Sequence, residues 1–384
     1  MPICTLLANR APLVVGLYVK IMGYGTRRMH IPDGYLSPST CATLYAAALT
    51  GWYMALKRCK RMLLSRTIPL ISVFAAFSFV IMMFNLPLPG GTTGHALGVT
   101  IAAIVLGPAG AILAISIALA IQGLFFGDGG ITTLGANSVN MAIVGSLVAY
   151  FSYRVMAAGS AISSKRRVVA AAVAGYLAVN VAALAAAIEF GIQPILFHDA
   201  KGTPLYAPYP LHIAVPAMMV GHLAVAGVAE GVIAAGLVAY LQGADPGVLT
   251  NPAAAGTTGA PIEIRPARSL RGLWITVALL MLLTPLGILA AGKAWGEWSP
   301  AVFADERGRA QATSASQGHA PPTSAPAGLE RLSSLWTAPF PEYAPRFVKS
   351  APVGYLLSAM FGVGLVLLLS QLLPWCLHRR REMS

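Results

Sequence analysis

Charge is what this chain has least of: Asp, Glu, Lys and Arg make up only 10% of its 384 residues, and only 13 of those residues are acidic. A large soluble domain cannot cover its surface with so little charge. With 57% of residues hydrophobic and a mean hydropathy of +0.70, the chain falls among polytopic membrane proteins. Cysteine is also scarce. Cys4, Cys41, Cys59 and Cys376 are scattered without a CxxC pair, which excludes a zinc knuckle and a disulfide framework and leaves packing as their role. Neither HExxH nor GxSxG occurs, so hydrolytic chemistry has no foothold. Gly287 to Lys293 has Walker A spacing, but Ala294 stands where Ser or Thr must hold magnesium, so the match is a coincidence at a span end. A net charge of +13 would suit a nucleic-acid binder. Here the basic residues fall in short clusters between apolar runs, the pattern of cytoplasmic loops under the positive-inside rule.

What is present is a series of apolar runs long enough to span a bilayer, each needing about 20 residues. The spacing predicts an all-α membrane protein with spans at 41–56, 67–84, 96–126, 138–158, 168–190, 212–241, 272–290 and 351–374. Lys57, Arg58, Lys60, Arg61 and Arg66 put the first loop inside, as Lys165, Arg166 and Arg167 do a later one. Residues 29, 30 and 85–95 then face outward. Parity requires 96–126 to leave and return, and Gly107-Pro108 supplies the break, with a first arm of about 11 residues, or about 16 Å. The core at 29–242 therefore has seven crossings. Residues 243–271, rich in Pro and Gly, read as a cytoplasmic linker. A second module at 272–384 has two crossings and an external loop at 291–350. Within that loop, the Ser/Ala/Pro/Gln run from Ala310 to Ala327 lacks the apolar content to order itself. The C-terminus, with Arg379 to Arg381, ends inside.

Residues 1–28 stand apart. Their apolar stretch from Ala11 to Val19 is too short for a span and resembles a weak leader, and Thr26-Arg27-Arg28 is a poor cleavage site. Translation from Met29 is favoured over a processed leader and over a retained extension. A chain starting at Met29 carries a chelator at its tip. The free α-amine, the amide nitrogen of His30 and the His30 imidazole close a five- and a six-membered ring around one ion. Three coplanar nitrogens suit Ni(II), Cu(II) or low-spin Co(II) rather than tetrahedral zinc. The fourth corner calls for another histidine. His95, at the end of Pro89-Gly-Gly-Thr-Thr-Gly-His95 and on the same side, is the candidate; the plainer alternative is a turn with an interfacial histidine. Asp128 and Asn137, in and after Gly127-Asp-Gly-Gly130, are candidates to orient a ligand, against a Gly-rich turn with Asn137 as helix cap. His222, Glu230 and Glu189 lie at membrane depth and read as packing or polar lining; His198, His212 and His319 are weaker candidates. Ala42, Ala46 and Gly51 offer a small-residue stripe for a partner helix or for internal packing.

These strings resemble the NikM/CbiM family, the substrate-binding membrane components of nickel and cobalt energy-coupling-factor transporters. The resemblance rests on Met29-His30-Ile-Pro-Asp-Gly-Tyr-Leu-Ser-Pro38, on the His95 loop and on Gly127-Asp-Gly-Gly-Ile-Thr-Thr-Leu-Gly-Ala-Asn137, and covers nearly everything after Arg28. It implies a seven-crossing core and a square-planar nitrogen site on Met29, His30 and His95. The second module is similar to the family's NikN/CbiN-like partner, usually a separate chain, at Thr284-Pro-Leu-Gly, Ala294-Trp-Gly-Glu-Trp298 and Val353-Gly-Tyr-Leu. One departure is that the family's Pro-Asp-Gly-Leu-Glu reads Pro326-Ala327-Gly328-Leu329-Glu330. The resemblance implies a cell-membrane capture subunit for Ni(II), with Co(II) the close alternative. It would have no cofactor and no enzymatic activity, and would work with a transmembrane coupling subunit and cytoplasmic ATPases. Two rivals remain distinguishable: an intramembrane metal or haem enzyme would show a Soret band or depend on the interior histidines, and a self-contained channel or carrier would work without ATPases.

Overall fold

The computed structural model describes residues 30–60, 67–249, 268–290 and 292–378. Residues 1–29, most of the linker and the Arg379 to Arg381 tail lie outside them. Among the described residues the chain is an all-α membrane protein carrying one small β-ribbon. Helix α1 (Pro38–Lys60) starts where the Ser37 hydroxyl accepts the Thr40 amide hydrogen at 3.1 Å, which satisfies one of the free amides of a first helical turn. After α2 (Thr67–Ile81), strands β1 (Leu86–Leu88) and β2 (Thr92–Gly94) pair antiparallel. The turn between them is left-handed at Gly90 and Gly91, with φ of 79° and 74°, which is why two glycines stand there.

Four longer helical elements complete the core: α3 (Val99–Ile121, extended by a wide turn over Gln122–Phe126), α4 (Leu134–Met156), α5 (Lys165–Leu196) and α6 (Leu211–Ala244). Among the described residues six helices are long and apolar enough to cross a membrane, and Ile68–Ile81 is a shorter apolar one. The 28-residue stretch Val99–Phe126 would separate its ends by about 42 Å if straight. Yet His30 touches both His95, just before it, and Asp128, just after it. The stretch therefore doubles back at Gly107, whose φ of 72° and ψ of 171° are unavailable to an ordinary helical residue. The reversal is the one Gly107-Pro108 predicts. Its first arm starts at Val99 rather than Ala96, because residues 95–98 are irregular and Gly98 is left-handed, with φ of 68° and ψ of 10°.

The C-terminal part adds α7 (Arg268–Leu283) and α11 (Ala351–His378), both packed against α2. Between them lie the short helices α8 (Pro300–Ala304), α9 (Glu306–Ala315) and α10 (Ala327–Leu332). The expectation that Ala310 to Ala327 cannot order itself is wrong. Asp305 caps α9 by accepting from the Gly308 amide at 2.7 Å, Ala312 and Ala315 are buried, and Ser316 Oγ accepts from Trp295 Nε1 at 3.1 Å. The run borrows its core. Ile31, Tyr35, Leu36, Phe190 and Tyr209 of the N-terminal part form one apolar cluster with Trp295, Trp298, Phe303 and Leu329. Composition read over the run alone could not register partners more than a hundred residues away.

Candidate metal centre

The segment from His30 to Ser37 has no regular structure and is buried along its length. A buried irregular backbone must find partners for its polar groups, and here the loop after α3 and the first turn of α4 provide them. The Ile31 amide donates to Asn137 Oδ1 at 3.0 Å, and Asn137 Nδ2 donates to the Ile31 carbonyl at 3.1 Å. Gly130 N also donates to that carbonyl, at 3.0 Å. Asp33 answers from the other direction, its carboxylate accepting from the Ile131 and Thr132 amides at 3.2 and 2.7 Å and from the Thr132 hydroxyl. Gly129 and Gly130 are needed for this approach. A β-carbon on Gly129 would meet His30, and one on Gly130 would overlap Asp33. The Ile-Pro-Asp-Gly and Gly-Asp-Gly-Gly strings are thus two halves of one joint.

That joint sets His30 against His95, with ring centroids 5.1 Å apart and planes at 85°. His30 is 3% exposed and His95 7%. His95 Nδ1 bonds the Ala96 carbonyl at 3.0 Å, so the proton sits on Nδ1 and the Nε2 lone pair is left for a ligand. An imidazole held through its other nitrogen by a carbonyl is the usual state of a metal-binding histidine. Burial, with a smaller contribution from the neighbouring His30, pushes the His95 imidazole down to about 4, and it stays neutral in mild acid. Asp128 faces His30, with Oδ1 3.4 Å and the carbonyl oxygen 3.3 Å from Nδ1. Among the described residues, the buried His30 Nε2 has no hydrogen-bond partner.

Both imidazoles open onto a cavity of about 90 Å³ whose wall includes Asn140, Met141, His222, Trp295 and Glu297. Among the described residues, no three His, Cys, Asp or Glu side chains are grouped to hold an ion. A metal held by the two imidazoles would need further donors, and Met29, the candidate for the amine, lies outside the described residues.

Sequence spacing missed the residue that holds the His95 loop. Glu230, on α6 and 1% exposed, accepts from the Leu97, Gly98 and Thr100 amides at 2.9, 2.8 and 3.0 Å. These are unpaired donors at the start of α3, where a carboxylate is favoured. Replacing Glu230 with Ala leaves three buried amides without an acceptor; we expect a loss of about 3 kcal/mol and weaker metal binding, measured by thermal unfolding and titration in detergent. Its partner in the sequence reading, His222, is in the cavity wall, with Nδ1 bonded to the Met218 carbonyl at 2.8 Å. Glu189 accepts from Asn140 Nδ2 at 2.8 Å. Three wide helical turns, Gln122–Phe126, Ser138–Val144 and His222–Ala226, border this region; such turns are rare and concentrate at functional sites.

The remaining candidates sort by exposure. His198, His212 and His319 are exposed and away from the cavity. Asn137 makes no side-chain cap at its helix, so its bonds to Ile31 replace the capping alternative. On α1, Ala42 and Ala46 are exposed, whereas a β-carbon at Gly51 would overlap Ile143. Gly51 therefore serves internal packing, and the outward stripe is shorter than its sequence. Ala327, at the family's aspartate position, opens α10, and the next amide, Gly328, donates to the Leu205 carbonyl at 2.7 Å.

Comparison with known proteins matches residues 30–248 to the family model described as cobalt uptake substrate-specific transmembrane region (CbiM), and residues 270–379 to the PDGLE domain. The chain is 55% identical over 338 residues to a fused nickel transport protein NikMN from Rhodobacter capsulatus, covering 88% of this chain and 95% of that one. It is 40% identical over 346 residues to a probable fused nickel transport protein LarMN from Lactiplantibacillus plantarum, covering 89% and 96%. A crystal structure of a truncated transition metal transporter superposes with a TM-score of 0.53 at 50% identity, over 56% of this chain and 98% of that one.

Proposed function

Because the chain belongs to the CbiM family of cobalt-uptake transmembrane proteins and carries a PDGLE domain behind it, we propose that it captures Ni(II), with Co(II) the close alternative, for ATP-driven import. The protein is a multi-pass membrane transport protein, not an enzyme. In our reading the metal binds in a plane of four nitrogens: the Met29 amine, the His30 amide and Nδ1, and His95 Nε2. The observation that carries this reading is the pair of buried imidazoles meeting over one cavity, one with its Nδ1 already committed to a carbonyl. Chelation through His30 Nδ1 requires that ring to turn by half about Cβ–Cγ, which brings Nε2–H toward Asp128. Asp128 then orients the ligand, and Asn137 and Asp33 hold the backbone beneath it.

The reading places Met29 at the mature terminus on the outer face and the C-terminus in the cytoplasm. The core spans 29–242, a linker runs over 243–271, and a two-crossing module follows at 272–384. A transmembrane coupling subunit docks on the stripe containing Ala42 and Ala46, and cytoplasmic ATPases supply the energy. Transport into vesicles that lack those ATPases would contradict this part.

The proposed donors also set a pH dependence. His95, already neutral above about pH 4, adds nothing to the proton count between pH 5 and 8. An α-amine with an ordinary pKa of about 8 must lose its proton to bind. Affinity should therefore fall by at least about tenfold per unit as pH drops below 7, with proton release measurable by calorimetry in two buffers. Binding indifferent to pH from 5 to 8 would remove the amine from the site. Uptake of labelled nickel and cobalt by a deletion strain carrying this gene decides between the two ions.

A further inference from the structure

The candidate site draws one of its supports from the C-terminal part of the chain. Tyr343 lies between α10 and α11, is 2% exposed, and reaches into the core helices. Its hydroxyl donates to Asp128 Oδ2 at 2.7 Å and lies 3.0 Å from Gln122 Nε2, which donates to it. The other oxygen of the same carboxylate, Asp128 Oδ1, faces His30 at 3.4 Å. A continuous polar chain thus runs from Gln122 through Tyr343 and Asp128 to His30.

The backbone around Tyr343 argues that this placement is needed. Glu342 and Tyr343 are consecutive non-glycine residues in the left-handed region, with φ of 60° and 59°. A bulky side chain adopts that conformation only where its surroundings hold it, and such positions concentrate at functional sites. The surroundings are visible here. The Tyr343 ring stacks on Phe126 at 4.7 Å and 19° and meets Tyr355 edge-on at 5.3 Å, while Ser358 Oγ donates to its carbonyl at 3.0 Å. A phenylalanine would fill the same slot, so ring packing does not explain the hydroxyl, which uses both its hydrogen-bonding roles on polar groups of the core.

We propose that Tyr343 is a positioning residue for the metal site. Its hydroxyl fixes the Asp128 carboxylate, so that the carboxylate orients His30 and strengthens it as a donor; the PDGLE domain thereby sets the metal affinity of the core to which it is fused. The inference rests on the metal-site reading above and deepens it. It predicts a role for the fused domain beyond covering the cavity.

The test is a mutant cycle on the full fused chain, titrated with Ni(II) and followed by its ligand-field absorption. Tyr343→Phe keeps the ring and should weaken binding about tenfold, at the lower end of the roughly 10–100-fold typical of groups that support a ligand, and should move the absorption band because His30 becomes a weaker donor. A purely structural role would leave the band in place. Asp128→Asn should weaken binding at least as much, and adding Tyr343→Phe to it should cost little more, since both act through one carboxylate. Wild-type affinity and spectrum in Tyr343→Phe, or additive losses in the double variant, would overturn the inference while leaving the site intact. If Tyr343→Phe also lowers thermal stability, the cycle with Asp128→Asn still decides. His95→Ala in the same assay isolates the underlying reading: unchanged binding there would overturn both.

Discussion

One residue added ahead of Met29 should remove high-affinity Ni(II) binding from a protein that otherwise folds and inserts normally. In the proposed site the α-amine anchors the chelate, and without it the His30 amide would have no five-membered ring to drive its deprotonation. His95→Ala should do the same by leaving the fourth corner of the plane to water. Both losses should exceed the roughly 10–100-fold that follows from deleting a supporting group. A chain starting at Met29 and one extended by a single residue, compared by equilibrium titration, separate a ligand from a bystander. Equal affinities would place the terminus outside the site.

Gly130→Ala should have the second largest effect, and it needs no metal ligand to change. A β-carbon at Gly130 would overlap both the carboxylate and the amide nitrogen of Asp33, and the carboxylate cannot move away without breaking its bonds to the Ile131 and Thr132 amides. Overpacking of this kind costs about 1–3 kcal/mol. The strain falls on the joint that carries His30, so nickel affinity should drop along with the unfolding temperature. A change in the β1–β2 turn that touches nothing, Gly91→Ser, has open space around it but a left-handed backbone, and should alter stability modestly while leaving affinity nearly unchanged. Titration and thermal unfolding of the two variants test the contrast.

Much of this arrangement was legible in the sequence because the strings that build it are locally unusual. Met29-His30-Ile-Pro-Asp-Gly, the loop ending at His95 and the glycine-rich stretch around Asp128 each demand tight backbone conformations. Charge parity alone put all three on one side of the membrane, and the reversal at Gly107 brings His95 and Asp128 together at His30. The remainder depends on contacts that periodicity does not encode. Glu230 lies 130 or more residues from the amides it caps, and its spacing from His222 says only that the two share a helical face. Tyr343 lies 215 residues from Asp128. The ordering of Ala310 to Ala327 depends on aromatic residues of both parts of the chain, so its own polar composition pointed the wrong way.

X-ray absorption at the nickel K-edge, on metal-loaded protein purified from membranes, tests the proposed coordination most directly. A plane of four nitrogens predicts low-spin, diamagnetic Ni(II) with a first shell of nitrogen alone and no sulfur or extra oxygen. A six-coordinate, oxygen-rich shell, or a nitrogen plane on protein that still carries residues 1–28, would contradict it.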